Sequence, residues 1–414
     1  MAAETFDARR LHPATLTPPL SKSDAQRALA LGFTLGDPQV APLVVSDELP
    51  MDVRALARGL ETLRTRSLVP IDVGDGGAPL RILLGQAAIA TGPSIITGSK
   101  RLAERPHDAL LEALSDSLLT AGLRIERGDP LFPLRIAPIT SLAGSPRFSI
   151  RSTESSQFAT SLLIAAAGLA RREGRSWQVL LEGALASEGY LDLTFDWLDR
   201  AGVTYVRQDE RITISPTPGT PRRGPVPGDW SSLGYLLTVA WKSGGKVRLV
   251  DPSAAHPDRA ILEVLAQAGL VVEHGAETRV HGVASAGVEV SGSECPDLLP
   301  TVAALACVLP SPTTLHAVSI LRLKESDRLA GIEALVAAGG ARSRRVHDTL
   351  VIEPGTVPTH LALFSRGDHR MAMAAATLAC LAGATLTLDD AHVVDKSFPG
   401  FWRELARCGV SASG

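Results

Sequence analysis

With 414 residues the chain has room for two domains, and 45% hydrophobic with 21% charged residues is an ordinary globular balance. A formal net charge of −3 excludes a global field that would recruit nucleic acid, so any anion binding must come from local clusters. No run of about 18 apolar residues exists, so no membrane-spanning segment is expected.

The first ten residues, Met1 to Arg10, lack the apolar core of a signal peptide. A theme then repeats six times: an alanine- and leucine-rich run with small or polar residues at its start. The runs begin near Ser21, Gly76, Ser155, Asp229, Pro296 and Asp368, roughly 55 to 80 residues apart. Apolar residues cover nearly every face of each run, which predicts buried helices. Strand-like pieces lie between them, such as Trp177 to Leu181, Lys246 to Val250, Thr313 to Ile320 and Thr349 to Ile352. Amphipathic helices are predicted over Pro106 to Leu123 and Leu191 to Ala201. A repeated strand–helix unit of this size predicts an α/β array of similar modules. Three runs per half suggest two similar domains, with a Pro/Gly-rich boundary at Pro225–Asp229 and a second crossing near Pro18-Pro19.

Cys295, Cys307, Cys380 and Cys408 form no Cys-x-x-Cys pair, which argues against a zinc site or a disulfide framework. Reduced, mostly buried thiols of a cytosolic protein are expected.

The helix starts carry Lys22, Ser23, Arg27, Arg81, Ser155, Ser156, Gln157, Asp297, Asp368, His369 and Arg370. Capping accounts for Ser155, Asp297 and Asp368. It does not account for the cations, which oppose the positive end of a helix dipole by about 0.3–1 kcal/mol unless an anion is near. Between Arg322 and Arg328, five of seven residues are charged, just before a helix-like run, Leu329 to Ala338. Lys324 and Arg328, four apart, would share a helix face, and Glu325 and Arg328 would be neighbours. Two cations and a carboxylate at a strand-to-helix turn suit an anionic ligand with a proton to move. An ordinary ion-paired helix start would look the same.

Eight motifs, in order, resemble those of the 3-phosphoshikimate 1-carboxyvinyltransferase family of enolpyruvyl transferases. They are Ser21-Lys22-Ser23 with Arg27, Asp75 to Arg81, Arg101 to Pro106, Ser155-Ser156-Gln157-Phe158, Ser187 to Asp192, Lys324 to Arg328, Asp368 to Met373, and Asp395 to Pro399. The resemblance implies two domains, each of three βαβαββ-type units around buried parallel helices, an inside-out barrel. Residues 20–228 would form the first domain. Residues 1–19 and 229–414 would form the second, with the active site in the cleft between them. It also implies transfer of the enolpyruvyl group of phosphoenolpyruvate to the 5-hydroxyl of shikimate 3-phosphate, with release of phosphate. The protein would be a cytoplasmic monomer of aromatic amino-acid biosynthesis, with small-molecule substrates and neither metal nor other cofactor.

By motif position, Lys22, Ser23, Arg27, Ser155, Ser156, Gln157, Ser187, Asp297 and Lys324 would hold shikimate 3-phosphate. Lys22, Gly77, Arg105, Gln157, Arg328, Arg370 and Lys396 would hold phosphoenolpyruvate. Asp297 would deprotonate or orient the attacking hydroxyl, Glu325 would serve the methylene carbon, and Lys22 would assist the leaving phosphate. The chain departs from the family pattern at Leu20, Asp75, Ala78 and Pro227. Asp75 is expected to add negative charge near an anion site and weaken substrate affinity. Glyphosate is expected to compete with phosphoenolpyruvate, weakened by Ala78 and Ile82. The competing readings are the sister transferase acting on UDP-N-acetylglucosamine and a non-catalytic phosphosugar-binding relative.

Overall fold

All six apolar runs fold as helices: Lys22–Leu35, Gly77–Ile89, Ser156–Glu173, Trp230–Ser243, Leu299–Ala306 and His369–Ala382. They are seen in a computed structural model that describes residues 3–141, 146–151, 155–183, 188–252 and 254–413. Their all-round apolar faces are buried, as the pattern requires. Every residue of the Gly77–Ile89 helix but Ala78, and every residue of the His369–Ala382 helix but Ala382, is buried.

The chain divides into two compact units. One comprises Met1–Ser21, Asp47–Met51 and Pro227–Gly414; the other comprises Lys22–Ser46 and Asp52–Val226. Each unit owns three of the six helices. The first unit's segments Pro19–Ser21 and Pro227–Asp229 are tied together. Ser21 N donates to Pro227 O at 2.8 Å, Asp229 N donates to Pro19 O at 2.9 Å, and Leu20 bridges Gly228.

The described residues form five four-stranded sheets that share one pattern. Each has one parallel pair followed by two antiparallel pairs. In the second unit, Ile71–Asp72 runs parallel to Ser94–Thr97, with the Gly77–Ile89 helix between them in sequence. Arg147–Arg151 and Trp177–Glu182 flank the Ser156–Glu173 helix in the same way. In the first unit, Glu289–Ser291 pairs with Thr313–His316, and His360–Leu363 with Thr385–Leu388. A parallel pair needs such a crossover, and a buried helix supplies it. In the remaining sheet Thr15–Leu16 pairs parallel with Lys246–Arg248, directly after the Trp230–Ser243 helix. The result is an α/β fold with several mixed sheets.

The first run, Lys22–Leu35, has no sheet of its own among the described residues. Pro38, Pro42 and Pro50 follow it, and only a 3₁₀ turn, Pro38–Val40, forms before the Met51–Thr65 helix. Proline cannot donate to a strand ladder, so this segment is a poor strand. Two predicted strands are also shorter than their apolar runs. Lys246 to Val250 is a strand only as far as Arg248. Thr313 to Ile320 is a strand only to His316, because Ala317 turns left-handed at φ 51° and a 3₁₀ helix, Val318–Leu323, begins.

All four cysteines are buried free thiols, and burial raises each thiol's pKa. Among the described residues no helix is long and apolar enough to cross a membrane.

Alanine and glycine let the buried helices approach closely. A Cβ on Gly85 would lie 2.5 Å from Ser161 Oγ and 3.0 Å from Ser161 O, on the neighbouring Ser156–Glu173 helix. A Cβ on Gly168 would lie 2.5 Å from Thr34 Cγ2. Gly85→Ala therefore sets a helix-propensity gain of about 1 kcal/mol against a backbone clash worth about 1–3 kcal/mol. A lower denaturation midpoint is expected in urea titration, whereas a propensity-dominated site would give a higher one.

Candidate active site

In the first unit one buried arginine collects three carboxylates. Arg328, wholly inaccessible, opens the Arg328–Ala338 helix. Its Nη1 donates to Asp297 Oδ1 at 2.9 Å, its Nη2 to Glu325 Oε2 at 2.6 Å and its Nε to Asp368 Oδ2 at 2.9 Å. Arg370 Nη2 donates to Asp297 Oδ2 at 2.8 Å, and Lys324 Nζ lies 3.7 Å from Asp297 Oδ1. The cluster thus pairs three cations with three carboxylates. A buried guanidinium needs such partners, and a planar fork can hold several at once.

Burial works to raise the Asp297 pKa, but the charges of Arg370, Lys324 and Arg328 outweigh it and hold the carboxyl well below the usual carboxylate range. Burial likewise works against the Arg328 charge, and Asp368, Glu325 and Asp297 outweigh it.

Two expectations change here. Asp297 does not cap a helix: the Leu299–Ala306 helix starts after Leu298 with no side-chain cap. The Asp297 carboxylate is committed to cations instead. Nor do Lys324 and Arg328 share a helix face. Asp327 caps the helix, accepting from Ala330 N at 3.1 Å, and Lys324 is extended at φ −86°, ψ −167°. Lys324 and Arg328 still meet, at Asp297 rather than along a helix. Ser155 and Asp368 do cap their helices, accepting from Gln157 N at 3.3 Å and Arg370 N at 2.9 Å. Asp368 thus has a second task that its position before a helix did not reveal. Lys396 is buried in the 3₁₀ segment His392–Lys396 of the same unit.

In the second unit Lys22 Nζ donates to Asp52 Oδ2 at 2.9 Å. Asp52 escaped the sequence reading because it lies 30 residues from its partner, in a helix with no local charge motif. Arg27 makes four hydrogen bonds, all within the unit: to Thr194 Oγ1 at 2.9 Å, Ser23 O at 2.7 Å, Tyr190 O at 2.8 Å and Thr160 Oγ1 at 3.4 Å. Burial lowers its pKa to about 10 despite the charge of Asp24. Arg81 links three motifs. Its Nη1 donates to Gln157 Oε1 at 2.7 Å and Ser155 Oγ at 3.4 Å, and its Nη2 to Pro106 O at 3.0 Å. Ser156 is buried in the first turn of its helix. Gly77 faces Arg105: a Cβ there would lie 2.6 Å from Arg105 Nη1. Ser187 lies outside the described residues.

Asp75 does not stand as a bare charge. The Ser99 hydroxyl donates to its Oδ1, so the carboxylate has a local partner.

Comparisons with known proteins agree with the motif pattern. The family model described as EPSP synthase (3-phosphoshikimate 1-carboxyvinyltransferase) matches residues 44–405. A 3-phosphoshikimate 1-carboxyvinyltransferase of Methanopyrus kandleri is 37% identical over 348 residues, covering 82% of this chain and 78% of the relative. One of Methanospirillum hungatei is 33% identical over 426 residues, covering 95% of each chain. Among solved structures, EPSP synthase from Acinetobacter baumannii matches with a TM-score of 0.71 at 18% identity, over 99% of this chain and 100% of that one. The enolpyruvyl transferase NikO from Streptomyces tendae matches with a TM-score of 0.66 at 14% identity, over 100% of this chain and 99% of that one. At such identities the structural matches speak to the fold.

His107 follows Arg105-Pro106 and is 2% exposed. Its Nε2 lies 2.8 Å from the Leu102 carbonyl, which can only accept, so Nε2 carries the proton. Burial first, then the charges of Arg81 and Arg105, lower its pKa to about 4. The unfolded chain would protonate His107 near pH 6.5 while the folded chain resists. Stability should therefore fall as pH drops from about 6.5 towards 4, by about 2–3 kcal/mol at pH 4.5. Urea midpoints at pH 7 and 4.5 measure this. His107→Gln, which keeps a donor but does not titrate, should lose less than the wild type; an equal loss would contradict the assignment.

Proposed function

The chain belongs to the EPSP synthase (3-phosphoshikimate 1-carboxyvinyltransferase) family, and on that premise we propose which of its residues carry the transfer. The reaction moves the enolpyruvyl group of phosphoenolpyruvate to the 5-hydroxyl of shikimate 3-phosphate, a step of the shikimate pathway. The hydroxyl oxygen bonds to C2 of phosphoenolpyruvate and loses its proton. C3 gains a proton and becomes a methyl group. The tetrahedral intermediate then loses a methyl proton and phosphate, which restores the double bond.

The observation that carries the assignment is Asp297 held by Arg328, Arg370 and Lys324. Asp297 is proposed to accept the hydrogen bond of the attacking hydroxyl and then its proton. While three cations hold it, this carboxylate is a weak base. Anionic substrates would compete for Arg370, Arg328 and Lys324, weaken that hold and raise its basicity. Base strength would then rise only when substrate is bound.

Glu325, hydrogen-bonded to Arg328 at 2.6 Å, is proposed to take up a proton as substrate binds, to pass it to C3 and then to reclaim it. Lys22 would support the leaving phosphate, with Asp52 orienting its ammonium. Ser23, Arg27, Ser155, Ser156, Gln157 and Ser187, with Lys22, Asp297 and Lys324, are proposed to bind shikimate 3-phosphate. The four bonds of Arg27 to its own unit support a second role for it, fixing the start of its helix. Gly77, Arg105, Arg328, Arg370 and Lys396, with Lys22 and Gln157, are proposed to bind phosphoenolpyruvate.

The test is phosphate release. The wild type should release phosphate only when shikimate 3-phosphate and phosphoenolpyruvate are both present; no release from the pair would overturn the reading. Asp297→Asn removes no helix cap but weakens the hold on Arg328 and Arg370, so kcat is measured together with thermal unfolding to separate chemistry from loss of the network. A kcat about 10²–10⁴-fold lower is expected. A kcat within about threefold of wild type would sink the assignment of Asp297.

A further inference from the structure

We propose that Asp75 is a positioning residue for Arg105, acting through the Ser99 hydroxyl. The inference rests on the reading that Arg105 binds phosphoenolpyruvate. Sequence reasoning gave Asp75 the opposite part, a negative charge that weakens anion binding.

Asp75 precedes Gly76 and Gly77, where the Gly77–Ile89 helix begins with no side-chain cap. Its carboxylate accepts from Ser99 Oγ. The same Ser99 Oγ accepts from Leu102 N at 3.1 Å and so caps the short Lys100–Ala103 helix. The Ser99 hydroxyl has one proton to give and lone pairs to accept with, so it serves both partners at once. Ser99 N also donates to Gly74 O at 2.9 Å. The glycine loop and the turn before Arg105 are therefore clasped side by side.

The far end of that turn is held as well. Arg105 N donates to Leu102 O at 3.2 Å, and His107 Nε2 donates to the same carbonyl at 2.8 Å. The Arg105 guanidinium then lies against Gly77, close enough that a Cβ would sit 3.0 Å from its Cζ. Its Nε and Nη1 are buried and have no hydrogen-bond partner among the described residues. Shape, more than hydrogen bonding, sets where this guanidinium rests. The spacing of loop and turn fixes that shape, and the Asp75–Ser99 bond holds the spacing together with the Ser99 N–Gly74 O bond.

The two readings of Asp75 predict shifts of opposite sign. If Asp75 positions Arg105, Asp75→Ala should raise KM for phosphoenolpyruvate about three- to tenfold, the worth of one well-placed hydrogen bond. KM for shikimate 3-phosphate and kcat should stay within about twofold. Asp75→Asn keeps an acceptor oxygen and should restore most of the loss. Ser99→Ala should act in the same direction. Adding Asp75→Ala to it should cost less than a further twofold, because both act on one contact.

Steady-state phosphate release measures all four variants against a wild type first shown to turn over. A wild type that releases no phosphate defeats the functional reading instead. With an active wild type, an unchanged or lower KM for phosphoenolpyruvate in Asp75→Ala overturns the inference. So would equal increases for both substrates, or multiplicative effects in the double variant. Should Asp75→Ala fail to fold, Ser99→Ala and Asp75→Asn decide by the same criteria.

Discussion

The charge of Arg328, buried with no solvent access, is the constraint on which the first unit's functional geometry depends. An unpaired buried cation would cost several kcal/mol, so its surroundings must supply anions. Two segments distant in sequence and one adjacent turn do so: Asp297, two residues before the Leu299–Ala306 helix, Asp368 at the start of the His369–Ala382 helix, and Glu325 just ahead of Arg328 itself. Their convergence fixes how those segments meet. Asp368 does two things at once. One oxygen takes Arg328 Nε while the other caps its helix at Arg370 N. That cap sets the first turn from which Arg370 reaches back to Asp297. Losing any member would strand the rest, as in any tightly satisfied polar network.

In the second unit Lys22 is paired with Asp52, but the motif arginines are held differently. Arg27 is hydrogen-bonded to neutral oxygens, with burial working against its charge. Arg81 ties the glycine-loop helix to Gln157, Ser155 and Pro106, so three sequence motifs share one guanidinium. Arg105 rests against Gly77, and two of its buried nitrogens have no hydrogen-bond partner among the described residues. A guanidinium that no protein oxygen fully satisfies is a stronger attractor for an incoming anion than one locked in an ion pair.

Much of this was legible in the sequence, for identifiable reasons. The six helices declared themselves because apolar residues cover all their faces, and their polar starts mark where they begin. The strands are short, from two to eight residues, so alternation marked their existence better than their ends. What stayed hidden was long-range pairing. Asp52 carries no local signal because its partner Lys22 is 30 residues away. Asp297 stands where a cap would stand, and only its contacts reveal that it caps nothing. Lys324 and Arg328 matched a helical spacing, but the Asp327 N-cap starts the helix at Arg328 and leaves Lys324 outside it. Asp75 looked like a bare charge because Ser99 lies 24 residues further on.

Under the proposed assignment the three-way fork of Arg328, and not merely its charge, sets Asp297 and Glu325 for the reaction. Arg328→Lys keeps the charge but lacks the fork. Phosphate release by this variant, measured with thermal unfolding on the same sample, is the most direct test. A folded protein is expected, with a lowered unfolding temperature and kcat reduced by about 10²-fold or more. A folded variant with kcat within about threefold of wild type would contradict it.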